Sequence, residues 1–585
     1  MNIRFRRYYP VILVSAFVSL YGCTGSTVSD TKEQGQAVVT TLIATDPPHQ
    51  SIRKYSTTDR NNSTLSRQQK EILHRAQKAT MAKVFPMHEV AAIAPTGTPY
   101  YDDLMDRELT SPIYPQFQRE SYDAITENPF IATLNDPLST FSIDVDTASY
   151  ANVRRWLTGG NLPPVGAVRV EEMINYFSYH YPQPENEPLG ITAELGPCPW
   201  QPENKLIRIG IKAKDLDPEH IPPSNLVFLI DVSGSMNQTN KLPLLKQSML
   251  MLVDQLTDQD KVSIVVYAGA DRVILPPTRG DQKEQIRKAI TTLSSGGSTH
   301  ASSGILTAYE LAKQSFIKNG NNRIILASDG DFNVGVTSRG ELERLVTKEG
   351  ESGVFLTVLG FGLGNYHDDT MEILADKGNG NYSYIDSLLE AKKVLIKERA
   401  GTLFTLARDV KLQIEFNSTK VGGYRLIGYE NRALADEDFN NDKKDAGEIG
   451  AGHTVTALYE LLPAGSEKIP SVDPLKYQTT TQRADTSDEL LTIKLRYKPL
   501  NANESFLLTK AVTDNSNTLA ATSDDFRFAA TVAGYGMLLR HSNHISQINY
   551  SKLIGMAKNS RGTDEEGYRA EFVHLLEMSE LVYDK

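Results

Sequence analysis

Leu226-Val227-Phe228-Leu229-Ile230-Asp231-Val232-Ser233-Gly234-Ser235-Met236 decides the fold of this chain. The first five residues are apolar without alternation, as in a strand buried on both faces. An acid, two serines and a glycine then follow, so the strand ends in a polar loop. Downstream the pattern repeats. Leu242 to Leu256 carries Leu245, Met249, Leu252 and Leu256 on one helical stripe, with Pro243 tolerated in the first turn. Val262 to Tyr267 reads as a strand, Lys283 to Leu293 and Ser303 to Ser315 as helices, and Arg323 to Ala327 as a strand. Glu341 to Lys348, Val354 to Gly360, Asp369 to Lys377, Tyr382 to Ile385 and Leu388 to Glu398 continue the alternation. Buried strands alternating with amphipathic helices predict a doubly wound, Rossmann-like α/β domain over 222–400.

On either side the period changes. Val410 to Phe416 and Leu491 to Tyr497 alternate strictly, and Thr454 to Leu461 is a third strand. Phe526 to Arg540 and Tyr568 to Val582 close the chain as helices, so 401–585 is read as a β-rich unit with a helical finish. Upstream, 129–221 is an α+β segment. Phe141 to Asp146 alternates as a strand, Ala148 to Leu157 and Val168 to Phe177 are helices, and Ile207, Ile209 and Ile211 share one face of a strand. If that last strand pairs with the later ones, the α/β domain is an insertion in a β-sandwich; otherwise a β-sandwich-like domain flanks it.

The 585 residues comprise 40% hydrophobic, 8% aromatic and 23% charged residues, enough for real cores and against wholesale disorder. Lys+Arg 61 against Asp+Glu 72 gives a net charge of -11, which recommends no nucleic acid. Two cysteines, Cys23 and Cys198, exclude a disulfide scaffold, a Cys-rich zinc module and an iron–sulfur cluster.

Ligands of α/β sheets bind at the carboxyl ends of the strands. There Asp231, Ser233 and Ser235 leave one strand, Ser328-Asp329-Gly330 ends another, and Gly296-Gly297-Ser298-Thr299 precedes a helix. Hydroxyl and carboxylate oxygens from three segments suit one hard divalent cation, Mg²⁺ or Mn²⁺, with waters completing an octahedron. Asp231 is expected at the mouth of the sheet. These residues resemble the metal-ion-dependent adhesion site of the von Willebrand factor A domain, an Asp-x-Ser-x-Ser, Thr and Asp in this order. The resemblance implies that Ser233, Ser235 and Thr299 bind the metal directly and that Asp231 and Asp329 hold its waters. Neutral direct ligands leave the ion electrophilic, so the implied partner is a protein offering an Asp or Glu carboxylate.

The likeness extends further. Asp144-Val145-Asp146-Thr147-Ala148-Ser149-Tyr150, Arg169-Val170-Glu171-Glu172-Met173-Ile174 and Gly428-Tyr429-Glu430-Asn431-Arg432 are similar to segments of bacterial lipoprotein-type von Willebrand factor A-domain proteins. That group's C-terminal domain has no assigned activity.

At the N-terminus Arg4, Arg6 and Arg7 precede the apolar Val11 to Leu20, about half the length that spans a bilayer. Leu20-Tyr21-Gly22-Cys23 resembles a bacterial lipobox. Residues 1–22 are therefore expected to be a signal peptide, Cys23 to be acylated, and 23–128 to be a mostly flexible tether. Thr24, where an Asp would resemble an inner-membrane retention signal, favours the outer membrane.

Four other features compete for function. Gly360-Phe361-Gly362-Leu363-Gly364 imitates a dinucleotide turn, but Asn365 takes the place of its third glycine and a plain strand-to-helix turn is expected. Asp436 to Asp442 starts like a calcium loop, but Asn441 and Gly447 replace its turn glycine and bidentate Glu. Asp144 and Asp146 share a strand face and are the candidate acid/base pair of a rival reading, an envelope hydrolase in which the A domain only docks substrate. His300 is expected as an exposed loop residue. The favoured expectation is a non-enzymatic, membrane-anchored binding protein.

Overall fold

The structure is a computed structural model that describes residues 120–585, apart from 144–145, 218–220, 269, 297–300, 331–338, 364–365, 472–486, 501, 503, 516, 546 and 584–585. Cys23, the signal segment, nearly all of the expected tether, Asp144, Thr299 and His300 lie outside the described residues.

The described elements begin with β1 (Ile131–Ala132), β2 (Leu138–Ser142), α1 (Ala148–Thr158), α2 (Val170–Asn175), β3 (Leu189–Cys198) and β4 (Gln201–Ala213). The α/β domain runs through β5 (Ser224–Asp231), α3 (Leu242–Asp254), β6 (Lys261–Ala268), β7 (Ala270–Arg279), α4 (Lys283–Thr291) and α5 (Ala301–Gln314). It continues with β8 (Asn321–Ser328), α6 (Arg339–Gly350), β9 (Phe355–Phe361), α7 (Asp368–Lys377) and β10 (Tyr382–Ile385). Two short helices, α8 (Leu388–Lys392) and α9 (Arg399–Leu403), flank a π-helical turn, Lys393–Lys397, where one continuous helix was expected. The remainder is β11 (Thr405–Phe416), β12 (Val421–Ile427), β13 (Gly447–Gly450), β14 (Thr454–Pro463), β15 (Glu489–Pro499), β16 (Phe506–Thr513), α10 (Asp524–Leu539), α11 (Tyr550–Asn559) and α12 (Tyr568–Tyr583).

The α/β sheet has the order β10-β9-β8-β5-β6-β7. All neighbours are parallel except β7, which lies antiparallel to β6 at the edge. The alternation of strands and helices gave no sign of β7. Its Pro276 and Pro277 lack the N–H of an inner strand, which an edge position tolerates. β5 is central and its residues divide between two cores. Leu226, Phe228 and Ile230 face Leu245, Met249 and Ile286 of α3 and α4. Val227 and Leu229 face Ile305, Val346 and Leu374 of α5, α6 and α7. That two-sided burial is why the strand is apolar without alternation.

The strands before and after this domain make one β-sandwich. One sheet runs β1-β12-β14-β4-β3, the other β13-β11-β15-β16 with β2 paired to β11. β4 and β14 are antiparallel, with Ile211 opposite Val455, Ile209 opposite Ala457 and Ile207 opposite Tyr459. Their inward residues meet Leu412, Ile414, Leu491, Ile493 and Leu495 in a shared core. The α/β domain is thus inserted between β4 and β11 of a sandwich, and 129–221 and 401–585 are one folded body. β2 ends at Ser142, so Asp146 belongs to the turn before α1 rather than to a strand. The body also starts earlier than 129. Glu120 forms a bidentate ion pair with Arg155, both contacts 2.9 Å, and the Ser121 N–H donates to the Tyr366 carbonyl.

α1 joins the parts. Ala148 and Ala151 pack into the α/β core, whereas Tyr150, Val153 and Leu157 enter a helical core shared with α2, α10, α11 and α12. Arg154 on the same helix pairs with Asp386 and Glu390 at the end of the α/β domain and with Glu571 of α12.

A second junction is denser. Arg169 pairs with Glu172, Asp368 and Glu372, and Arg432 with Asp146, Glu372 and Asp376. Burial pushes the Glu172 carboxyl up to about 8, with Glu372 and Asp368 adding to the rise against the pull of Arg169. Unfolding returns it to the ordinary glutamate value, so the native state keeps an extra proton between those two pKa values. Stability then falls as pH rises through that window. Melting temperature is expected to decline from about pH 5 to about pH 9 for this reason. Glu172→Gln leaves its amide facing one of two donors, Ser149 N–H or Arg169 Nε–H, and should cost about 1–3 kcal/mol near pH 5. Because glutamine cannot ionise, the variant should lose less than wild type on going alkaline. Parallel melting curves across the range would show that the network holds no such proton.

Candidate metal centre

The strand order reverses between β5 and β8, so their carboxyl ends open the crevice where α/β sheets receive ligands. Asp231, the last residue of β5, is wholly buried rather than at the open mouth. Its Oδ1 accepts the Ser233 N–H at 2.8 Å, and its Oδ2 accepts the Ser328 hydroxyl at 3.2 Å across the sheet. Ser233 is buried, while Ser235 is exposed on the single 3₁₀ turn Gly234–Asn237. Their Oγ atoms stand 2.9 Å apart. Asp329 follows β8 directly and is buried beside this loop. Gly330, at φ +81, turns the chain away where a Cβ would come within 2.8 Å of the His367 nitrogen. Four of the five expected metal residues therefore converge; Thr299 is outside the described residues.

The sequence reading missed Lys241. Its ammonium lies 2.8 Å from Asp329 Oδ2, and both side chains are almost fully buried. The lysine stem passes over Gly362, where an added Cβ would lie 2.1 Å from Lys241 Cε. A Cβ at Gly360 would likewise meet the Tyr366 hydroxyl at 2.1 Å. The glycines that imitate a dinucleotide turn are thus close-approach positions, one of them letting Lys241 reach the site. The signal available was Asn240-Lys241-Leu242-Pro243, a lysine just before a helix that starts close to the Asp-x-Ser-x-Ser loop.

A divalent ion suits this set of donors. Octahedral Mg²⁺ at about 2.1 Å from each oxygen puts neighbouring ligands about 3.0 Å apart, which matches the serine pair. Two buried acids against one ammonium leave one negative charge, so a bound dication would remain undercompensated. Asp231 is already strained electrostatically: burial, with a further push from Asp329, raises its carboxyl to about 6.

The rival features are engaged elsewhere. Asp146 accepts the Tyr382 N–H at 2.8 Å and faces Arg432, so both of its oxygens are committed to holding the fold. In the acidic loop, Asp436 accepts from Thr140, and Asp442 from Ser505 and Arg496. These bonds tie the loop to the sandwich. Cys198 is a free, buried thiol whose pKa burial pushes up.

Asp231→Asn keeps both hydrogen bonds, since its oxygen can accept from Ser233 and its amide can donate to Ser328. Without metal, the charge of Asp231 costs roughly 3 kcal/mol at neutral pH, from its rise to about 6. In EDTA the variant should therefore melt higher than wild type above about pH 6, and the gap should shrink as pH falls from there and close below about pH 4, where the unfolded chain too becomes protonated. Added Mg²⁺ should raise the wild-type midpoint alone. Equal Mg²⁺ shifts in the two proteins would place any ion elsewhere.

The von Willebrand factor type A domain family matches residues 225–396. A family described as von Willebrand factor matches 116–208, and one described as "Uncharacterized protein YfbK, C-terminal" matches 401–582. The chain is 45% identical over 473 residues to the YfbK protein of Escherichia coli (strain K12), covering 79% of this chain and 81% of that one. It is 29% identical over 188 residues to the protein sll0103 of Synechocystis, covering 32% of this chain and 43% of that one. Among solved structures, a von Willebrand factor type A protein from Catenulispora acidiphila aligns with 63% of this chain and 87% of its own, at 13% identity and a TM-score of 0.38. The chain belongs to the YfbK family of von Willebrand factor type A domain proteins.

Proposed function

We propose that this protein is an envelope lipoprotein that docks protein partners on a divalent ion held by Asp231, Ser233, Ser235, Thr299 and Asp329. The type A domain supports a binding role. The observation that carries the finer reading is the serine pair, at the spacing of an octahedral edge, beside two buried acids at the strand-order reversal. When bound, Mg²⁺ or Mn²⁺ would supply a hard Lewis-acid docking point. The chain's own part is to offer few charges to it. Lys241 cancels one carboxylate, so an anionic oxygen from outside is the ligand the ion lacks. An Asp or Glu of a partner has that chemistry. The exposure of Ser235 supports a docking point at the surface, whereas Asp231 is sealed off from solvent and fixes the loop.

Thr299→Ala should then weaken partner binding at least tenfold without unfolding the protein, and excess EDTA should weaken binding by the wild type likewise. Partners can be captured by photo-crosslinking from a probe beside Ser235 in intact cells. Affinity that survives both EDTA and replacement of the partner's contacting acid by its amide would remove the metal from the mechanism.

Anchoring is part of the proposal. Cys23 would carry the lipid, and Thr24 after it favours the outer over the inner membrane. Stable insertion needs more than one acyl chain, at about 0.8 kcal/mol per buried methylene. Cys23→Ser should move the protein from the membrane to the soluble fraction with an unchanged melting temperature. Retention of the cleaved variant in the membrane would contradict the lipid anchor.

A further inference from the structure

Beneath the Asp-x-Ser-x-Ser loop a row of three side chains crosses the sheet. β5 and β6 are parallel with Asp231 opposite Tyr267, and Ser328 at the end of β8 reaches the Asp231 carboxylate from the other side. The Tyr267 carbonyl also accepts the Val232 N–H at 3.2 Å, so the loop begins by bonding back onto this tyrosine. The tyrosine ring belongs to the core under α5, with Val227, Leu229 and Ile305. A Cβ on Gly304 of α5 would lie 3.0 Å from Tyr267 Cβ and 3.2 Å from Leu229 Cδ1. The helix that follows Thr299 therefore presses its backbone close over the tyrosine.

The hydroxyl of Tyr267 has no hydrogen-bond partner among the described residues, and the residue is wholly buried, so water does not serve it either. Burial and then the charge of Asp231 push its pKa up, while Ser328 draws it partly back. The hydroxyl thus stands beside both groups without being aligned on either. A buried donor left unmatched is costly, and the carboxylate beside it has capacity to spare. Asp231 accepts one hydrogen bond on each oxygen, from the Ser233 N–H and from the Ser328 hydroxyl, whereas a carboxylate offers about four lone-pair positions. The Ser328 bond is the longer of the two, at 3.2 Å, and the same hydroxyl accepts the Gly330 N–H at 3.1 Å. Across the sheet, Asp231 is therefore held by one shared serine.

We propose that Tyr267 is a positioning residue of the metal centre, its hydroxyl becoming a third donor to the Asp231 carboxylate when a divalent ion is bound; the role rests on the metal reading above. To hold the waters of an ion, Asp231 has to stay anionic and keep one orientation. A charge-assisted bond from a phenol that is packed in place serves both needs. Asp329 is held by other means, the ammonium of Lys241 at 2.8 Å. The difference has a consequence for charge. A second ammonium would cancel Asp231 as Lys241 cancels Asp329, whereas a neutral hydroxyl fixes the acid and leaves its charge for the ion. One acid is thereby neutralised and the other kept active.

Tyr267→Phe tests this, because it deletes the hydroxyl and keeps the ring. The full chain as wild type, Tyr267→Phe and Asp231→Asn is titrated with MgCl₂ and MnCl₂ by calorimetry, and melted in EDTA and in saturating Mg²⁺. In EDTA Tyr267→Phe should melt as high as wild type or higher, since only an unmatched group has gone. Its affinity for Mg²⁺ should fall about tenfold, the scale of one hydrogen bond to a charged group. The rise in its midpoint on adding Mg²⁺ should shrink accordingly. A tyrosine that merely fills the core would behave in the opposite way, with the same loss of midpoint in EDTA and in Mg²⁺ and an unchanged affinity. Either of those results would overturn the proposal and leave the metal centre standing. Wild type that binds neither ion, or binds them no better than Asp231→Asn does, would overturn the metal centre and the role of Tyr267 with it.

Discussion

Two buried arginines hold this molecule in one piece. Arg169 from the N-terminal segment and Arg432 from the C-terminal one reach the same helix of the α/β domain, α7, where both grip Glu372. Around them are Asp146, Glu172, Asp368 and Asp376. Five carboxylates for two guanidinium groups cannot all ionise cheaply in a dry interior, so the cluster retains protons and depends on complete hydrogen bonding. Removing either arginine would strand several buried charges at once, a loss of the kind that costs about 3–5 kcal/mol. The arrangement is costly to assemble but specific. Only the native arrangement of sandwich, helices and α/β domain brings these groups together.

That junction explains why segments far apart in the chain carry the family's likeness. The Asp146, Arg169 to Glu172 and Glu430 to Arg432 stretches looked unrelated in sequence, yet they are the parts of one contact. Their charge holds the fold, which does not favour the acid/base role expected of Asp146 with Asp144: each oxygen of Asp146 already has a donor. Beside them, Glu171 and Asp369 each keep one buried oxygen without a hydrogen-bond partner among the described residues. Catalytic and structural carboxylates can look alike in a sequence. They differ in whether the surrounding donors saturate them.

Much of the fold was legible because it follows from period and burial. The all-apolar Leu226 to Ile230 could only be a central strand, and Ile207, Ile209 and Ile211 set the face of β4 that meets the sandwich core. Asp231, Ser233, Ser235 and Asp329 were legible as a set because their order along an α/β chain places them at strand ends. β7 was hidden because it is an antiparallel edge strand within a parallel pattern, and its Pro276-Pro277 pair reads as a break. Lys241 was hidden for a different reason. A lone lysine before a helix is normally a solvated residue, and only the turn at Gly362 reveals a buried path for it. Burial of Asp231 was also missed, since strand ends are usually open and this one is sealed by its own loop.

The two loci meet in one short stretch, Gly362 to Asp368. At one end Gly362 gives passage to Lys241, the partner of Asp329. At the other, the nitrogen of His367 abuts Gly330 and the next residue, Asp368, is fastened by Arg169. In an isolated α/β domain, α7 could slide over its sheet for the cost of some apolar repacking. Here Arg169 and Arg432 bind it through buried or half-buried ion pairs and Arg339 through a more exposed one, so a slide would have to break all of them together. The mount is therefore stiff. Under the docking role proposed above, adjustments near Ser235 would be on the scale of a side chain. The ion pairs that close the junction therefore also hold the start of α7 where it abuts Gly330 beside the crevice.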